Sequence, residues 1–235
     1  DIAYSDHPVT LVGISAGVSY GQLGATHHSI HDIAVLRAIN NINIVVPADN
    51  FETKEVIKTA VNYNHPLFIR FGKKPMTKLH DGSHNFKIGN GIKLKSGNDL
   101  AIIATGETVQ RALKACEFLE KININCTLIS MHTIKPFDEE LFLNSISKVK
   151  AVITIEEHSV SGGLGEKCAS VLMQKNISFN AEICGCDALP PGVHGLTVAD
   201  AGWRCDDGAR SRGNCDDAAA RAHGGAEKQT SREAA

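Results

Sequence analysis

Strand-like and helix-like segments alternate along residues 10–71 and again along residues 100–184. This alternation constrains the fold more than any other feature, because it is the pattern of α/β architectures. Thr10–Ile14 reads as a strand. A loop with Gly13, Gly17, Gly21 and Gly24 follows. Ser29–Ile39 reads as a helix: Ser29 and Asp32 have the spacing of a capping box, and Ile33, Leu36, Ala38 and Ile39 supply an apolar face. Asn43–Val46 is a short buried strand. Asp49 is placed to cap a helix over 50–62, where Phe51, Val56, Ile57 and Ala60 share one side. Leu67–Phe71 closes a βαβαβ unit with parallel strands. Ligands of such sheets sit beyond the carboxyl ends of the strands, so the glycine-rich loop and Arg70–Lys74 fall where chemistry is expected.

A polar stretch over 72–85 separates this unit from a second one. There, Phe86–Lys95 reads as a short hairpin, Leu100–Ala104 as a strand and Glu107–Lys121 as a helix. Strands over Ile124–Ile129, Ala151–Ile155 and Ile177–Cys184 and helices over Asp138–Ser147 and Leu164–Gln174 complete it. No repeat of fixed period is present.

Composition narrows the function classes. The chain has 235 residues, and 24 Lys and Arg against 26 Asp and Glu leave a formal charge of -2. That balance argues against an electrostatic nucleic-acid or anionic-membrane binder. The densest apolar runs, Leu100–Ala104 and Ala151–Ile155, are far short of the roughly 18 residues of a membrane helix. No secretory leader is visible. Seven cysteines, an odd number placed mostly in apolar segments, read as reduced structural thiols of a cytoplasmic protein. Cys184-Gly-Cys186 has the form of a metal half-site, but no Cys/His pair at zinc-finger spacing accompanies it, so no metal ligand is assigned. Residues 201–235 contain no Leu, Ile, Val, Phe, Met or Tyr. Lys gives way to Arg there: residues 1–200 hold 15 Lys and 3 Arg, the last 35 residues 1 Lys and 5 Arg. The segment after about residue 190 therefore reads as a disordered tail or as out-of-frame or foreign sequence.

Three segments are candidates for chemistry. In Gly21–Ser29, glycines let backbone approach a ligand, and the adjacent His27 and His28 suit proton transfer or hydroxyl recognition; structural loop histidines are the alternative. Arg70-Phe-Gly-Lys-Lys74 offers three cations to a phosphate, or forms a solvated basic turn with Arg70 paired structurally. In Ile155–Ser159, Glu156, Glu157 and His158 suit acid–base work or a polar interface. The neighbouring Gly162-Gly-Leu-Gly165 is better explained by tight helix–strand packing than by a phosphate loop. Neither a G-x-S-x-G elbow nor an H-E-x-x-H motif is present.

Gly-Ala-Thr-His-His-Ser at 24–29, Asp-Ile-Ala-Val-Leu-Arg at 32–37 and Val-Pro-Ala-Asp at 46–49 resemble transketolase. Ser19–His28 is similar to a transketolase-like subfamily whose enzymes are often split into two polypeptides. Met131-His-Thr-Ile-Lys-Pro136, Glu156–Ser159 and Gly162–Gly165 resemble the C-terminal domain of that family. The resemblance implies an α/β chain with these parts: residues 1–77, the C-terminal part of a pyrimidine-binding domain with a parallel sheet; 78–85, a linker; 86–190, a transketolase C-terminal-like domain; 191–235, the tail. It also implies thiamine diphosphate and Mg²⁺ bound between subunits, and transfer of a two-carbon ketol unit from a ketose to an aldose. The partners it implies are sugar phosphates and either a second copy or a diphosphate-binding N-terminal subunit, in a homodimer or heterotetramer.

Carried over residue by residue, His27 is the active-site histidine of the family's Thr-His motif. Lys73 stands where many relatives have an Arg that binds the substrate phosphate. His28 and Ser15 are further substrate-binding candidates, although Ser15 replaces a His of many transketolases. Leu23 stands where many have an Asp that touches a substrate hydroxyl. The family's catalytic Glu and its Mg²⁺ motif match nothing in these residues, so the cofactor ligands are expected outside them and the chain is expected to be inactive alone. Two enzyme readings stand beside this one, a 1-deoxyxylulose-5-phosphate synthase and the β subunit of a 2-oxoacid dehydrogenase; Met131–Pro136 favours transketolase. A non-catalytic assembly module is the reading from another class.

Overall fold

The computed structural model describes residues 1–80 and 84–186, together with the strand Trp203–Cys205. The first unit comprises β1 (Thr10–Gly13), α1 (Asp32–Ala38), β2 (Asn43–Val45), α2 (Asn50–Ala60) and β3 (Leu67–Arg70). Both β1 and β2 pair in parallel with β3, as a βαβαβ unit requires. Asp49 caps α2 by accepting from the Glu52 amide at 2.9 Å.

The second unit comprises β4 (Ile92–Lys95), β5 (Leu100–Ala104), α3 (Thr108–Glu120), β6 (Cys126–Ser130), β7 (Thr133–Lys135), α4 (Glu139–Ile146), β8 (Ala151–Ser159), α5 (Leu164–Gln174) and β9 (Asn180–Cys186). With β10 (Trp203–Cys205) its sheet has the order β10-β9-β8-β5-β6-β4. Every residue of the central β5 is buried, since helices cover both faces of a largely parallel sheet. Val109, Ala112, Cys116 and Leu119 of α3 pack on one face, and Phe142, Leu164, Cys168 and Val171 lie in the core on the other.

The units are not beads on a linker. β7 leaves the second unit and pairs antiparallel with β2, giving the first sheet the order β1-β3-β2-β7. Ile33, Ile44 and Val46 of the first unit share one apolar core with Ile103, Met131, Ile134 and Phe142 of the second. Most of the expected tail lies outside the described residues; within it, Trp203–Cys205 pairs antiparallel with Cys184–Cys186.

Three local expectations need correction. Residues 86–95 do not form a hairpin: Phe86 stacks on His132 with ring centroids 4.4 Å apart, residues 87–90 turn, and β4 instead pairs antiparallel with β6. The helix expected from Ser29 begins at Asp32, because Ser29 pairs its backbone with Gly17 and Asp32 turns to Arg70 rather than capping. The strand expected to end at Ile155 runs on through Ser159 and carries Glu156, Glu157 and His158 into the boundary between the units.

Candidate active site

The loop joining β1 to α1 is closed at its neck. The Gly17 amide donates to the Ser29 carbonyl at 3.0 Å, and the Ser29 amide returns to Gly17 at 2.9 Å. Between them the chain makes two single 3-10 turns, Gly21–Leu23 and Ala25–His27. His27 is exposed, its Nδ1 lies 3.0 Å from Thr26 Oγ1, and its ring meets the Tyr20 ring edge-on at 5.8 Å. Lys73, from the turn after β3, sets its ammonium 3.5 Å from the centroid of the same Tyr20 ring. Tyr20 thus brings together the two residues singled out for proton transfer and phosphate binding.

Ser15 is buried, with φ +60°. Its neighbour Ala16 donates its amide to the Phe71 carbonyl at 3.1 Å, tying the start of this loop to the basic turn. His28 is half-buried, and both of its ring nitrogens are shielded from solvent without a hydrogen-bond partner. Burial lowers its pKa, against an opposing pull from the Gly21 backbone. Leu23 is exposed beside these residues.

The second unit supplies the floor of this region. Glu157 is buried and its Oε1 accepts from the Val18 amide at 2.9 Å. Burial, with Glu107 adding to it, raises the Glu157 pKa, opposed by the Val18 amide and by Arg70 and Arg111. Arg70 donates to Asp32 Oδ2 at 2.7 Å, to the Ser29 carbonyl at 2.7 Å and to the Glu157 carbonyl at 3.0 Å. His158 accepts from the Ala34 amide through Nε2 at 3.2 Å and donates from Nδ1 to the Ser159 carbonyl at 2.8 Å. Glu156 accepts from the first amides of α5, Leu164 and Gly165, at 2.7 and 2.8 Å. Arg37 donates to the Gly162 and Gly163 carbonyls. A side chain at Gly162 would collide with Ala34 and one at Gly165 with Ile183, so those glycines serve packing.

Arg70 and Glu157 are therefore structural partners of the loop, Glu156 of the start of α5 and His158 of α1, whereas His27 and Lys73 are exposed. Sequence reasoning misses Tyr20 and Glu107 as residues that shape this site; Glu157, a candidate there for acid–base work or a polar interface, accepts from the Val18 amide. A single tyrosine between glycines carries no spacing signal, and Glu107 does not reveal in sequence that its carboxylate meets the Lys73 amide.

Among the described residues no group of three or more His, Cys, Asp or Glu side chains is placed to hold a metal ion. No helix among them is long and apolar enough to cross a membrane. Cys116, Cys126, Cys168 and Cys186 are free and buried, and Cys184 is buried.

Two α/β units share one core, and a glycine-rich histidine loop and a basic turn meet at the end of the first sheet. Residues 1–78 match the transketolase pyrimidine-binding domain, and residues 89–195 match the transketolase C-terminal domain. The chain belongs to the transketolase family. It is 40% identical over 178 residues to an apulose-4-phosphate transketolase subunit of Phocaeicola vulgatus, covering 75% of this chain and 57% of that one. It is 34% identical over 171 residues to a 6-deoxy-6-sulfo-D-fructose transketolase subunit of a Clostridium species, covering 73% of this chain and 53% of the other. The chain thus spans about half the length of these curated relatives. Among solved structures, an inactive β4 tetramer of a split-gene transketolase superposes with TM-score 0.74 at 32% identity, over 85% of this chain and 66% of that one.

Proposed function

We propose that the chain is the pyrimidine-side portion of a transketolase-type enzyme assembled from more than one subunit. The enzyme transfers a two-carbon ketol unit from a ketose to an aldose phosphate. The observation that carries this reading is the contact of both His27 and Lys73 with the Tyr20 ring, an imidazole and an ammonium that are both exposed.

The residues present fit one half of such a site. The loop that carries His27 also supplies the half-buried imidazole of His28. For the diphosphate and Mg²⁺ half the described residues offer no fit, so those contacts are assigned to a diphosphate-binding partner subunit. Thiamine diphosphate, when bound, supplies the electron sink for cleavage beside the ketose carbonyl. His27 binds a substrate hydroxyl and holds or passes its proton. Lys73 attracts the substrate's anionic end as a point charge, without the bidentate fork of an arginine. The two subunit relatives are named for a sugar phosphate and a sulfo-sugar, both of which carry such an anionic group. Exposed Leu23 offers no acceptor to a sugar hydroxyl, which separates this site from transketolases with an aspartate there. Buried free thiols suit a reducing, cytoplasmic setting.

Calorimetric titration of thiamine diphosphate with Mg²⁺, first into the chain and then with a diphosphate-domain subunit present, tests the proposal. Binding only in the presence of the partner, followed by ketol transfer from a ketose phosphate, is the expected result. Turnover of pyruvate instead would assign a synthase or dehydrogenase. A stable assembly without cofactor affinity would reduce the chain to an assembly module.

A further inference from the structure

The two loops that carry His27 and Lys73 are each fixed at a glycine by a carboxylate from the second unit. At the His27 loop, Gly17 has φ +60°, and a β-carbon there would overlap Glu157; the next amide, Val18, donates to Glu157 Oε1 at 2.9 Å. At the Lys73 turn, a β-carbon on Gly72 would overlap the Glu107 carboxylate; the next amide, Lys73, donates to Glu107 Oε1 at 3.1 Å. The arrangement is the same twice: a glycine gives the carboxylate room, and the following amide is held by it. Glu107 sits at the N-terminus of α3, which packs on the second sheet, and Glu157 lies near the end of β8, a strand of that sheet. Arg70 reinforces the first clamp by donating to the Glu157 and Ser29 carbonyls together.

We propose that Glu157 and Glu107 are positioning residues through which the C-terminal unit sets the two site loops, Glu157 the His27 loop and Glu107 the Lys73 turn. The inference rests on the reading of His27 and Lys73 as site residues. It gives the C-terminal unit a part in the geometry of the site. An amide held by a buried or half-buried carboxylate is fixed in direction, and sub-ångström placement of groups that handle protons or phosphates changes rate.

The test separates this inference from the proposed activity. Amide hydrogen exchange is measured on the full chain without cofactor or sugar. In Glu157→Ala, exchange at Val18 should speed up by about tenfold, the scale of one lost buried hydrogen bond, with Lys73 unchanged. In Glu107→Ala, Lys73 should respond and Val18 should not. Glu157→Gln and Glu107→Gln retain an acceptor oxygen and should restore slow exchange. Glu157→Asp, which retracts the carboxylate by one methylene, gives a second reading of the first clamp should Glu157→Ala fold poorly. In the assembled enzyme the Glu157→Ala loss should fall on kcat, and that of Glu107→Ala on KM for phosphorylated sugars. Uniform loosening of the whole chain in Glu157→Ala and Glu157→Asp, or failure of either loop to respond, overturns the inference. So does one shared kinetic effect of the two alanine variants. An assembly without ketol transfer would overturn the proposed activity, while the exchange result would stand by itself.

Discussion

Arg70 Nε donates to Asp32 Oδ2 at 2.7 Å, joining the end of β3 to the start of α1 directly beneath the histidine loop. The same guanidinium holds two carbonyls, one from each unit. Arg70 is 4% exposed and Asp32 18%, so the pair is screened far less than a surface bridge.

Removing Arg70 leaves Asp32 and two carbonyls short of their donor. Arg70→Ala should lower unfolding stability by about 3 kcal/mol, the lower end for breaking a buried pair, because Asp32 regains some water. Arg70→Lys keeps the charge but cannot serve three acceptors, so its loss should be smaller. Urea denaturation of the chain reads both, and a parent-like midpoint in Arg70→Ala would remove the triple contact from the stability of the fold.

Glu156 and His158 should give opposing pH dependences. Burial pushes the Glu156 carboxyl up to about 7, outweighing the two amides that favour its charged form. Its stabilisation is present below the unfolded value near 4.5 and is lost as pH rises through 7. Burial also pushes His158 down to about 4, so its stabilisation is present above 6.5 and is lost as pH falls through 4. Between about pH 4.5 and 6.5 the two slopes cancel in large part. Glu156→Gln removes one of them and should expose a fall in stability on acidification across that window. Denaturant unfolding at several pH values measures it, and an unchanged profile would contradict the opposition.

Much of this fold is legible in the sequence, and the reasons are local. Leu100–Ala104 is apolar without alternation because both faces of its strand are covered. Asp49 caps where a cap is expected, since an N-cap needs only its own helix. The failures share a cause: the deciding partner is remote. Thr133–Lys135 is too short to read as a strand and becomes one by pairing with Asn43–Val45, about ninety residues earlier. Asp32 looks like half of a capping box until Arg70 claims it. His27 and Lys73 are legible as separate candidates, but their shared contact with Tyr20 depends on two loops meeting in space.

His27 is exposed, and its hydrogen-bond contact, with Thr26, is local. His27→Ala should therefore leave the fold intact. In the assembled enzyme it should lower ketol transfer by about 10²–10⁴-fold, the scale of lost acid–base assistance. Steady-state rates with a ketose phosphate donor check this, and a wild-type rate would take His27 out of the reaction.

Tyr20 offers a test of how Lys73 is aimed. An ammonium 3.5 Å from a ring centroid is drawn to the face of the ring, and at an exposed site that attraction is about 0.5–1 kcal/mol. Lys73→Ala should raise KM for phosphorylated sugars and leave unphosphorylated ones unaffected, because the contribution of an ammonium depends on an anionic partner. Tyr20→Leu keeps an apolar side chain but removes the ring, releasing Lys73 to solvent; it should raise the same KM by a smaller factor, about two- to fivefold. Tyr20→Phe retains the ring face and should behave as the parent. The comparison of Leu with Phe separates the ring from the phenol hydroxyl: equal effects would assign the role to the hydroxyl, and no effect from either would mean that Lys73 reaches its phosphate unaided.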